Sequence, residues 1–385
     1  MPSTRQTYPV EFKGGLVTNM SPLQQGINAP GSARVLKNFE PSIEGGYRRI
    51  QGYTKYNSSI IPPYGAPVVH GASQSGTTLI IGNIHQTPEA GDTLTIDGVT
   101  GTYTIASGGV TYDATNNRAT LTLETSLASS PANAAAVTFA TTTSNYLMLG
   151  CGVFLDRVIV AKNDDLFKVS SSTITHINVP NYGTVLVNGA SQTGSSLIVD
   201  GLTAAPQAGD VFKITGVDLV YTVTSDASVS SGGATLAINP ALASSPADNA
   251  AITFLSTSRE SAGKTRFARY NYTGTEKIAI VDGTNVPALY DNSTFTALND
   301  APTDVNGASF VVNFKNQLFF GKSNLLTFTA PYTDNDFTAA AGSGTISLGA
   351  TITGLIVFRQ QLIIFTETSI MQLVGNTIAD LTCNR

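Results

Sequence analysis

The feature that most constrains this chain is an internal duplication. Residues 71–105, GASQSGTTLIIGNIHQTPEAGDTLTIDGVTGTYTI, align with 189–223, GASQTGSSLIVDGLTAAPQAGDVFKITGVDLVYTV, at a constant offset of 118, and 16 of the 35 positions are identical. The match resumes as SLASSPANAAAVTF at 126–139 against ALASSPADNAAITF at 241–254, with 10 of 14 identical. The offset there is 115, so the second copy is three residues shorter in the intervening loop. A repeat of about 70 residues at this spacing means that one structural unit was built twice. Within each copy Leu94, Ile96, Tyr103 and Ile105, and likewise Phe212, Ile214, Tyr221 and Val223, alternate with other residues as strands require. Ala90-Gly91-Asp92 and Ala208-Gly209-Asp210 supply the turns that precede them. The segment SLASSPANAAA is compatible with a short helix or a capped turn, with Ser130 before Pro131 as its start signal. Each copy therefore reads as a small β-sandwich or barrel module.

Between and after the copies a second, looser period appears. RVIVAKNDDLFKVSSSTITHINV (157–179), KIAIVDGTNVPALYDNSTFTALN (277–299), QLFFGKSNLLTFTAP (317–331) and QLIIFTETSIMQLVG (361–375) each open with an apolar strand, turn, and return. With the second module excised their starts lie roughly 40 to 48 residues apart, about the length of a four-stranded propeller blade. The expected fold is all-β: a β-propeller-like body carrying two inserted, duplicated modules. The expected boundaries are 1–66 for an N-terminal arm and the start of the propeller, 67–140 for the first module, 141–184 for a blade, 185–256 for the second module, and 257–385 for further blades.

Charge is unevenly spread. Residues 1–60 carry seven Lys and Arg against three Glu, 7 − 3 = +4, whereas each module nets 1 − 5 = −4. Such asymmetry steers subunit assembly or repels passing nucleic acid, and it also fits ordinary solvated surface. Charged residues are only 12% of the chain, with 36 Gly and 17 Pro, as short strands and tight turns demand. The start, MPSTRQTYPVEFKGG, has no apolar secretory core, and no apolar run approaches bilayer length. No membrane-spanning segment is expected, and a role outside a cell would need another exit route such as lysis.

Catalytic and metal-binding chemistry finds little support. Cys151 and Cys383 are too far apart for a metal clip or disulfide framework, and Cys151 is expected to be a small buried apolar residue. Of three histidines, His70 and His85 fall on Asn188 and Thr203 in the second copy, so the duplicated fold requires neither; His176 sits in a blade-like strand. Ser261-Ala262-Gly263-Lys264-Thr265 lacks the upstream glycine of a phosphate loop, because position 258 is Ser. Asn163-Asp164-Asp165 and Asp334-Asn335-Asp336 have calcium-type ligands but the composition of ordinary turns. No catalytic, cofactor-binding or metal site is assigned, no cofactor is expected, and the chain is read as no enzyme. A glycan-binding surface is weakened by the absence of Trp among 17 Phe and 14 Tyr.

The stretch 12–56, FKGGLVTNMSPLQQGINAPGSARVLKNFEPSIEGGYRRIQGYTKY, resembles the start of the tail nozzle proteins (tail tubular protein B) of short-tailed bacteriophages. The resemblance rests on Gly14-Gly15, Asn38, and an Arg48-Arg49 turn before Gly52, although Ile50-Gln51 stand where the family has Pro. NQLFFGKSNLLTFTAPYTDNDF (316–337), with Ala330-Pro331, Asp334, Asp336 and Phe337, resembles the family's blade pattern, as does 355–375. The resemblance covers about a third of the chain. It implies a virion protein of the phage tail, assembled in the host cytoplasm: a ring homo-oligomer of six subunits that contacts an adaptor and tail fibres and lets DNA through without sequence readout. Because the sequence stops at Asn384-Arg385 soon after a strand, the C-terminal part of a longer protein is expected to be missing or supplied elsewhere. A receptor- or glycan-binding adhesin or tail spike component is the alternative, and a propeller glycosidase a distant third.

Overall fold

The computed structural model describes residues 64–385 except 142–147, 163–164, 258, 260–262, 300, 376–381 and 385. Before residue 64 it describes 16–17, 21, 24, 31–33, 35, 39–41, 47–49, 56 and 61–62. The chain divides after Tyr56. In the first unit, Phe39–Pro41 pairs antiparallel with Tyr47–Arg49, which puts Arg48 opposite Glu40. Arg48-Arg49 therefore belong to a strand and not to a turn, while Gly14-Gly15, Asn38 and Gly52 lie outside the described residues.

The second unit, Asn57–Arg385, contains both modules, and each is a six-stranded antiparallel barrel. Module A runs from Val68–Val69 through Thr78–Gly82, Arg118–Leu123, Val99–Asp113 and Thr93–Ile96 to Val137–Thr141 in spatial order. Its last strand returns to its first through the Val68↔Ala136 bridge, and Val69 N–H donates to Ala135 C=O at 2.9 Å. Module B repeats this order from Gly183–Val187 to Ile252–Ser256 and closes through Leu186↔Ala251. Closure removes the sheet edge, and strand alternation fills the interior. Ala119, Leu121 and Leu123 point inward from one strand, and Ala234, Leu236 and Ile238 do so at the matching strand of module B.

Polar devices inside the barrels are duplicated as well. The Tyr64 hydroxyl donates to Asp92 Oδ2, and Tyr182 donates to Asp210 Oδ2 at 2.7 Å. Both carboxylates also take a turn amide, from Glu89 at 3.0 Å and from Gln207 at 2.7 Å. Gln74 and Gln192 staple the same hairpin: Nε2 donates to Ile80 C=O at 3.1 Å and to Ile198 C=O at 3.0 Å, while the amides of those residues donate back to Oε1. Residues 126–136 form turns and no helix. The helical option fails because these residues are drawn into barrel closure, where Asn133 Oδ1 accepts from Gly71 N–H at 2.9 Å.

The remaining sheets are four up-and-down meanders of four strands. Meander 1 is Met148–Phe154, Arg157–Lys162, Asp165–Val169 and Ile174–His176; meander 2 is Arg266–Tyr270, Lys277–Val281, Ala288–Tyr290 and Phe295–Ala297. Meander 3 is Phe310–Phe314, Gln317–Lys322, Leu325–Phe328 and Gly344–Ser347; meander 4 is Ile352–Phe358, Gln361–Thr366, Ile370–Val374 and Thr382–Asn384. The repeat starts at 157, 277, 317 and 361 are the first residues of the four second strands. The meanders stack face to face. Ile159 and Leu166 of meander 1 pack on Ile278, Ile280 and Phe295 of meander 2. Ala279 and Leu289 then pack on Leu318 and Phe320 of meander 3, and Phe319 and Leu326 on Leu362 and Ile364 of meander 4. Each module immediately precedes a meander in the chain, so module plus meander is the repeated unit in the first two cases.

Cys151 corrects an expectation. It is exposed, because it lies on the face of meander 1 that points away from meander 2. The other face of its strand is tightly covered. A Cβ on Gly150 would come within 2.3 Å of the Thr265 carbonyl oxygen, and one on Gly152 within 3.0 Å of the Phe267 ring.

Candidate functional site

Two of the three histidines, remote in sequence, meet on one carboxylate where module A joins meander 1. Asp165 opens the third strand of that meander and is 2% exposed. Its Oδ1 lies 2.7 Å from His176 Nε2 and 3.3 Å from His85 Nδ1. Phe167 pairs with His176 across the meander, which fixes that imidazole two residues along from the carboxylate. His85 comes from the module, after the strand Thr78–Gly82. Gly65 (φ +77°) lets the linker cross the site, since a Cβ there would come within 2.5 Å of Asp165 Oδ2. Burial pushes the Asp165 carboxyl up, but the two imidazoles outweigh it and hold it far below the usual carboxylate range. A cavity of about 240 Å³ opens beside it, lined by Tyr64, Phe139, Phe167 and His176 among others.

The arrangement is a buried polar clamp between two elements. The sequence treated the histidines one at a time, and the spacing 85–165–176 carries no local motif that would join them. Module B meets meander 2 differently. Arg259 Nη2 donates to Asp282 Oδ2 at 2.6 Å, both side chains are 6% exposed, and Arg259 Nη1 also donates to Val286 C=O at 3.1 Å. Burial raises the Asp282 carboxyl, and the Arg259 guanidinium more than reverses this.

His70 lies apart from the clamp. It is buried, and its Nε2 faces Arg118 Nη1 at 3.2 Å. Burial first and the guanidinium second lower its pKa to about 4, which keeps the ring neutral. The two acidic turns are structural where they are described. Asp334 accepts from Lys277 Nζ at 2.7 Å and Tyr270 Oη at 3.0 Å, and Asp336 accepts from Thr338 N–H at 2.8 Å. Asn163 and Asp164 lie outside the described residues, as do Ser258, Ser261 and Ala262; Gly263–Thr265 lead directly into the strand Arg266–Tyr270. Among the described residues no group of three His, Cys, Asp or Glu is placed to hold a metal ion.

The remaining candidate is the contact between the modules. Val68 of module A packs with Val211 and Val220 of module B. Ala72 N–H donates to Asp218 Oδ1 at 3.2 Å, Thr222 Oγ1 to Asn116 C=O at 3.3 Å, and Ser256 Oγ to Asn83 Oδ1. The two copies touch through different faces. In module A the positions of Val211, Leu219 and Val220 are occupied by Thr93, Gly101 and Thr102. In module B the positions of the buried Gly82 and Asn83 are held by Asp200 and the exposed Gly201. The equivalent positions that do not meet the other copy are thus Thr93, Gly101 and Thr102 on module A and Asp200 and Gly201 on module B, all small or polar.

Against known proteins, residues 180–256, which span module B, match the family described as the B domain of the distal tail protein pb9. The match supports a structural protein of a phage tail, without singling out the nozzle. No curated protein matches the chain. Among solved structures, apo AztD from Citrobacter koseri is 10% identical, with 80% of this chain and 78% of that chain covered and a TM-score of 0.28. The dihydro-heme d1 dehydrogenase NirN in complex with DHE is 10% identical over 86% and 75%, with a TM-score of 0.26. No helix among the described residues is long and apolar enough to cross a membrane.

Proposed function

We propose that this chain is a non-enzymatic subunit of a phage tail, acting by geometry as one segment of a six-membered ring through which DNA leaves the virion. The observation that carries the reading is the match of module B to a distal tail protein domain. The duplicated Tyr–Asp and Gln staples extend its relevance to module A. A nozzle-like ring is favoured by the resemblance of residues 12–56 and 316–337 to tail nozzle proteins, and by the propeller-like stack of meanders. The acidic modules, each −4, suit surfaces that meet neighbouring tail proteins such as an adaptor or tail fibre and do not hold DNA phosphates.

Native mass spectrometry with negative-stain imaging of the purified chain is the test. A six-fold ring with an open channel is expected, together with weak, sequence-independent DNA binding that salt abolishes. A chain that stays monomeric when tail partners are added, or that selects a DNA sequence, overturns the reading.

A further inference from the structure

The stack of meanders ends in an apolar face whose counterpart in the preceding meander is covered. Phe314, opposite Gln317 in meander 3, and Phe358, opposite Gln361 in meander 4, are equivalent positions. Phe314 is 6% exposed because meander 4 lies over it, whereas Phe358 is 57% exposed. Alternation puts Ile356, Ile363, Phe365, Ile370, Gln372 and Val374 on the same face as Phe358. Ile356, Phe365, Ile370 and Val374 are exposed too, at between 37% and 61%. Five large exposed apolar side chains on one sheet face mark an interaction surface and not ordinary solvent contact.

The chain presents no second apolar sheet to dock there head-to-tail. Among the described residues after Tyr56, Ile198 and Tyr332 stand apart from it, and Met148, Val153 and Leu155 lie at one edge of meander 1. The inner strands of meander 1 are closed on that side, since Val160 and Phe167, in the row of Cys151, are buried. What remains to cover the face is the same face on a second copy.

The face is built to meet itself. Its described residues carry no charge, so a copy brings no like charge against it. Arg359 sits in the turn at one end of the strands, with its guanidinium 5.3 Å from the Phe358 ring centre. Glu367 is exposed in the turn at the other end. A two-fold axis that lies in the contact plane and crosses the strands reverses one sheet over the other. Each Arg359 end is then laid on a Glu367 end, whereas an axis along the strands would stack like charges.

We propose that two copies of this chain join through their fourth meanders about such an axis, with Arg359 of one facing Glu367 of the other. The contact goes beyond the ring reading and does not depend on it. Head-to-tail contacts build a ring, while an isologous contact doubles whatever carries it, a lone subunit or a whole ring.

Sedimentation of the full chain over a dilution series is the test. A reversible doubling of mass is expected. Ile370→Asp, at a position already 61% exposed, should leave the subunit's melting unchanged and raise the dissociation constant about tenfold or more. Arg359→Glu and Glu367→Arg should each weaken the pairing about fivefold at low salt, and an equimolar mixture of the two variants should recover it. A doubling that Ile370→Asp leaves intact overturns the surface. One that responds to Ile370→Asp but not to the charge variants overturns the two-fold arrangement. A mass that never doubles overturns the contact, and a ring seen in that sample leaves the ring reading intact. Pairs of lone subunits that never form a ring uphold the contact while the ring reading fails.

Discussion

At the scale of single residues, buried ionisable groups set how this protein responds to acid. His70 is held neutral in the fold with a pKa of about 4, against an ordinary 6.5. The unfolded chain therefore takes up a proton that the fold refuses, and stability falls as pH drops from 6.5 towards 4, by up to about 3 kcal/mol. Asp210 works in the opposite sense. Burial raises it to about 6, so the fold binds a proton earlier than the unfolded chain and regains stability over much the same range. His70→Asn, the residue module B has at that position, should remove the first effect alone. Urea titrations at pH 4.5 and 7 should show the variant gaining on the wild type at the acid end; equal gaps at both pH values would refute this. Asp165 differs from both. Its carboxyl is depressed in the fold, so its contribution is complete above the unfolded carboxylate range near pH 4 and is lost only as pH falls further. Asp165→Asn should cost about 3 kcal/mol at pH 7 in the same assay, because the buried carboxylate that both imidazoles face becomes an uncharged amide.

At the scale of elements, matched positions in the stack give a controlled comparison. Gly150 and Gly354 are equivalent: the first is opposite Ala161, the second opposite Phe365. A methyl on Gly150 strikes the Thr265 carbonyl, whereas one on Gly354 meets the Phe365 ring at an ordinary 3.4 Å. Gly150→Ala should therefore destabilise by about 1–3 kcal/mol while Gly354→Ala changes subunit stability by less than about 0.5 kcal/mol. Thermal melts of the pair would settle it, and similar losses in both would show that the covered joint is not what constrains Gly150. Such elements were readable in the sequence because strand period and turn chemistry are local: the Ala-Gly-Asp turns, the second strands and the duplication all announce themselves within a dozen residues. The clamp of His85, Asp165 and His176 was not, since its members share no element and module B has no counterpart to His85. Cys151 was misjudged for a related reason. Alternation shows that a strand has two faces but not which of them the next sheet will cover. Of the two options for 126–136 the turn holds and the helix does not, because barrel closure, a long-range demand, outweighs a local helix-start signal.

At the scale of the whole molecule, module and meander alternate twice before two further meanders follow, and the modules meet through unlike faces. If the exposed apolar face of meander 4 meets another subunit, burying it should raise the melting temperature with protein concentration. Calorimetry across a fifty-fold dilution series should show it, and a concentration-independent transition would argue for a lone subunit. The alternation has an evolutionary corollary as well. Copying a module with its meander adds length in the interior and leaves the first and last sheets untouched. A lineage could thus lengthen this protein in its interior while whatever its terminal sheets bind stayed as it was.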